Sequence, residues 1–144
     1  MATTEHDQDF YRWTQDQARL LKAGRLSELD VEHLVEEIEE MGRSERRALE
    51  SRLKVLLTHL LKWQHQPSHR GRSWMLTIKE QRRAIAHFLK ASPSLKNHLD
   101  SILQDAYELA ILAAARETGL DESAFPPACP WQPDQVLDTD FLPE

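Results

Sequence analysis

The chain has 144 residues, 40% of them apolar and 29% charged, with a net charge of −6. That composition suits a globular chain in water, and no apolar run approaches the roughly 20 residues of a bilayer span. The negative charge disfavours general nucleic-acid binding, where clustered cations supply most of the affinity, and the single cysteine, Cys129, rules out an internal disulfide.

The opening stretch, "MATTEHDQDF", has neither a basic nor an apolar region of the kind a signal peptide carries. The chain therefore reads as cytoplasmic. A first helix is expected over 7–23, with Phe10, Trp13, Gln17 and Leu20 on one stripe and Gly24 as its C-terminal cap. Asp30 is a good N-cap for a second helix over 30–66, which at 1.5 Å per residue is roughly 50 Å long. Leu34, Ile38 and Met41 form one stripe on it, and Leu49, Leu53, Leu56, Leu60 and Trp63 form another. The two are out of phase, and the slip falls at Gly42. A kink or a change of packing partner is expected there.

Pro67 stops the second helix and Gly71 lies in the turn. A third helix over 72–91 carries Trp74, Ile78, Gln81, Ile85 and Phe88 on one stripe. Pro93 separates it from a fourth over 94–118, with Leu95, Leu99, Ile102, Ala106, Leu109 and Ala113 on one face. The last stretch, 120–144, is rich in proline but carries the anchors Phe125, Trp131, Val136, Leu137 and Phe141. It reads as an arm with one helical turn near 134–138, docked on the helices. The fold expected is all-α: one domain over 1–144, an up-and-down bundle of about four helices.

Seven histidines invite zinc, but spacing argues against it along any one helix. Pro67 lies between His65 and His69, and His59 and His65 sit about 240° apart around a helix. A di-metal carboxylate bundle needs Glu-x-x-His motifs from two helices. Asp30-x-x-His33 with Glu36, Glu37 and Glu40 offers one half, and neither His87 nor His98 supplies the other. No metal and no cofactor is expected. There is no nucleophile elbow and no glycine-rich phosphate loop, so the reading leans against an enzyme.

Two polar features remain. Glu45, Arg52 and His59 recur every seven residues along one side of the second helix. Antiparallel packing about the turn sets Arg52 level with Gln81 and Arg82. A hydrogen-bonded network fixing helix register is the plain reading; a small-ligand or anion site using Glu45, Arg52, His59, Gln81 and Arg82 is its rival. Charge is also polarised: residues 27–50 hold nine acids against three arginines, and residues 69–90 hold six Lys/Arg against Glu80 alone. A basic third helix suggests phosphate or nucleic-acid binding, though the acidic segments can neutralise it.

Three segments together resemble a known family: "DFYRWTQDQARLLKAGRLSELDVEHLVEEIEEMGRSERRALESRLKVLLTHLLKWQHQP", "RSWMLTIKEQRR" and "FPPACPWQPDQVLDTDF". They are similar to the bacterial domain-of-unknown-function family twenty-nine, from about Asp7 to Pro143. The shared segments fall on Trp13, Glu37, Met41, Gly42, Arg43, Ser44, Glu45, Trp63, Arg72, Trp74, Gln81 and Arg82. The resemblance implies an α-helical fold and no particular reaction. The leading expectation is a non-enzymatic module that binds a protein partner, away from membranes, with homo-oligomerisation left open.

Overall fold

The structure, a computed structural model, describes residues 5–144. Six α-helices follow one another: α1 (Glu5–Gln8), α2 (Phe10–Lys22), α3 (Val31–His65), α4 (Arg72–Ala91), α5 (Leu99–Thr118) and α6 (Pro133–Leu137). No strand occurs among the described residues, and the fold is all-α. None of these helices is long and apolar enough to cross a membrane. The chain divides into two compact units, one ending at Ser44 and the other spanning Glu45–Glu144.

In the first unit, the helix expected over 7–23 is broken. Asp9 leaves helical geometry and its carboxylate accepts from Arg12 N, so it caps a new helix rather than continuing the old one. At the far end, Gly24 has φ +70° and donates to Leu21 O while Arg25 donates to Leu20 O. That pair of bonds is a Schellman cap, a left-handed turn glycine makes without steric cost. The start of α3 is tied to α2 by polar side chains. Trp13 Nε1 donates to Asp30 Oδ2 at 2.9 Å, and Gln17 Oε1 accepts from Asp30 N at 2.8 Å. Trp13 and Gln17 are buried accordingly.

The second unit is built on the rest of α3. Leu49, Leu53, Leu56 and Leu60 are joined by Leu57 and Leu61, all fully buried, which widens the stripe enough to take more than one neighbour. Ile78, Ile85 and Leu89 of α4 pack on it, with Ile102, Leu103, Ala106, Tyr107, Ala110 and Ala114 of α5. Each such leucine or isoleucine contributes about 1.5–3 kcal/mol by leaving water. Phe125, Trp131 and Val136 belong to the same core, so the proline-rich arm is part of the bundle. Gly119, at φ +76°, ends α5.

Two further expectations change. A six-residue 3-10 segment, Pro93–His98, precedes α5, which begins at Leu99 rather than at 94. Leu109, expected on the inner face of that helix, is exposed, and Leu103 and Tyr107 lie inside instead. Gly42 does not end α3, which is helical from Val31 to His65, and the change of packing partner expected there fits the boundary between the two units at Ser44; Ile38 and Met41 stay in solvent.

Candidate functional site

The polar seam on α3 spreads into separate local contacts. Glu45 is exposed and accepts from Ser92 Oγ at 3.5 Å. Arg52, also exposed, reaches Gln81 Oε1 at 3.4 Å, so these two meet across α3 and α4. His59 is half-buried, and its Nδ1 donates to Val55 O, one turn back on its own helix, at 2.8 Å. Burial pushes its pKa down, and the nearby Lys62 ammonium adds to that effect.

Arg82 does something different. It is 5% exposed, with Nε donating to Val136 O and Nη2 to Phe141 O, each at 2.8 Å. One guanidinium therefore clamps two carbonyls of the arm. Desolvation lowers its pKa, with Asp138 pulling the other way, but an arginine stays charged. Tyr107 adds a second tether, its hydroxyl donating to Pro126 O at 2.6 Å, and burial pushes that phenol up to about 12. Cys129 is half-buried, with its thiol pKa raised by burial, which leaves it a poor nucleophile.

Between α4 and the arm runs a groove of about 700 Å³, lined by Met75, Leu76, Lys79, Arg83, Asp140 and Leu142 among others. Of the seam residues only Arg82 borders it. Two further basic side chains, Lys62 and Arg70, are used locally. Lys62 Nζ lies 3.3 Å from Glu117 and over the Trp74 ring, and Arg70 stacks on Trp63 while donating to its carbonyl.

The feature whose covering the sequence pattern left open lies in the first unit. Val31, Val35, Ile38 and Met41 are 59%, 47%, 61% and 62% exposed. They share one side of α3, at spacings of four, three and three. Glu32, Glu36 and Glu39 stand exposed among them. Up to Ser44 the chain holds eleven acids and five Lys/Arg, and from Glu45 on it holds thirteen of each. The whole net charge thus belongs to the unit with the bare apolar stripe. A tally of charge by unit makes that visible in the sequence; the exposure of the stripe is not visible there, because amphipathic periodicity does not say what covers the apolar side.

No curated protein and no solved structure matches the chain. A family model described as "Domain of unknown function DUF29" matches residues 6–142. The chain belongs to that family.

Proposed function

We propose that the protein is a non-enzymatic, cytoplasmic protein-binding module whose docking face is the first part of α3, between Val31 and Met41. The observation that carries this reading is the row of four large apolar side chains, each about half exposed or more, set among glutamates. Leaving such side chains in water forgoes stabilisation that a partner can recover. The partner of matching chemistry is a basic amphipathic helix, its apolar side on Val35 and Ile38 and its Lys/Arg against Glu32, Glu36 and Glu39. A second copy of this face would set acid against acid.

Capture from the native cell, run side by side with wild type and Val35→Asp/Ile38→Asp, tests the reading. Both positions are exposed, so the double variant should melt like wild type. The expected result is a protein with a basic amphipathic segment retained by wild type alone. Equal retention by the folded variant would refute the reading.

The groove beside α4 supports a second reading, phosphate or nucleic-acid binding. Lys79 and Arg83 are exposed one turn apart on its wall. Asp140 on the same lining opposes an anion there. A mobility-shift titration at low salt, where such contacts are strongest, should show no binding if the protein-docking reading is right. A small-ligand site at the Glu45–Arg52–His59 seam has less support, since those side chains are spent on Ser92, Gln81 and Val55.

A further inference from the structure

The first unit gathers two imidazoles and a carboxylate that lie far apart in sequence. His6 and Asp7 come from α1, and His33 comes from the first turn of α3. One ligand atom from each lies within 4.8 Å of the other two. Each imidazole is also held by a carboxylate outside this trio. His6 Nε2 is 2.6 Å from Glu37 Oε1, and His33 Nδ1 is 2.7 Å from Asp30 Oδ2. Asp30 is itself fixed by the indole N–H of Trp13. A carboxylate on one imidazole nitrogen sets the tautomer, aims the ring and makes the other nitrogen a better donor, which is how metal-binding histidines are usually supported.

Distances separate ligands from supports. Two neighbouring ligands on a zinc-sized ion, with bonds of about 2.0–2.2 Å, stand about 3–3.5 Å apart. His6 Nδ1 and Asp7 Oδ1 are hydrogen-bonded at 3.2 Å, a separation that also fits such an edge. The Glu37 and Asp30 contacts, at 2.6 and 2.7 Å, are too short for such an edge and are short hydrogen bonds. We propose that His6 Nδ1, Asp7 Oδ1 and His33 Nε2 bind one divalent transition-metal ion, zinc fitting best, with Glu37 and Asp30 orienting the two imidazoles. Two imidazoles and one carboxylate suit zinc and leave a further position to water, whereas magnesium and calcium prefer all-oxygen sites.

Binding requires one movement. The two rings stack, with centroids 4.2 Å apart and planes 17° from parallel. Imidazole lone pairs lie in the ring plane, so stacked rings cannot both point at one ion. One ring has to turn out of the stack as the trio closes. The piece that shifts is α1, four residues long with no buried side chain, bounded by the non-helical Asp9. Metal binding therefore fastens α1 to the start of α3.

The test uses the full chain without an affinity tag, titrated with Zn²⁺ by calorimetry and with Co²⁺ by visible absorption. The expected result is one ion per chain and a cobalt ligand-field band of low coordination number. His6→Ala and His33→Ala each abolish both, and Glu37→Gln weakens binding 10- to 100-fold. Hydrogen exchange over 5–8 slows when zinc is added, and Mg²⁺ gives no signal. Because His33→Ala also disturbs the helix start, His6→Ala with an unchanged melting curve is the deciding variant. Absence of saturable zinc binding, or unchanged binding in His6→Ala, overturns the proposal.

Discussion

The two units of this chain treat the same kind of sequence in opposite ways. From Glu45 on, acids and bases are equal in number, and the α3 leucines from Leu49 to Leu61 are fully buried. Before it, acids outnumber bases by six, and Val31, Val35, Ile38 and Met41 of α3 stand in solvent, with Leu34 half-buried. One helix carries both stripes. Amphipathic spacing therefore sorts a helix into sides but leaves open whether a side is core or contact surface.

Truncation separates the two most sharply. Leu57→Ala opens a cavity at a site with no exposure and should cost about 2–5 kcal/mol in urea or guanidinium unfolding. Ile38→Ala, at 61% exposure, should fall within about 0.5 kcal/mol of wild type. A comparable loss at both positions would mean that the stripe from Val31 to Met41 is core after all.

The arm gives the next largest effect. Arg82→Ala removes two charge-assisted bonds and leaves the carbonyls of Val136 and Phe141 unpaired, which should cost about 3 kcal/mol. Limited proteolysis should then cut between 125 and 141. Arg82→Lys should recover only part of this, because an ammonium lacks the guanidinium fork.

A smaller effect follows from pH. Burial lowers the pKa of His59 and of His65 in the bundle. Stability from a lowered histidine is fully present above its unfolded value, near 6.5, and is lost as pH falls through the lowered folded value. Unfolding free energy should therefore drop as pH falls below about 6.5, and a His59→Gln/His65→Gln variant should show a shallower drop. Gly42→Ala should stabilise the chain by about 0.5–1 kcal/mol, since a methyl group there meets nothing within 4 Å.

Much of this fold is readable from punctuation. Gly24, Pro67, Pro93 and Gly119 end or separate helices because each imposes a local backbone geometry that packing cannot override. Asp9 was less readable, since an aspartate is tolerated inside a helix and becomes a cap only when the chain turns there. The role of Arg82 was hidden for a different reason. A basic residue between Gln81 and Arg83 looks like surface, and only the return of the arm supplies its two carbonyl partners. The trio of His6, Asp7 and His33 escaped because spacing rules act along one helix, while these residues come from two.

The proposed docking face is α3 before Gly42. Hydrogen exchange of the chain, alone and with the protein it captures, tests this most directly. The expected result is slowed exchange concentrated in 31–41, with 72–91 unchanged. Protection centred on α4 and the groove beside it, with none in 31–41, would contradict it.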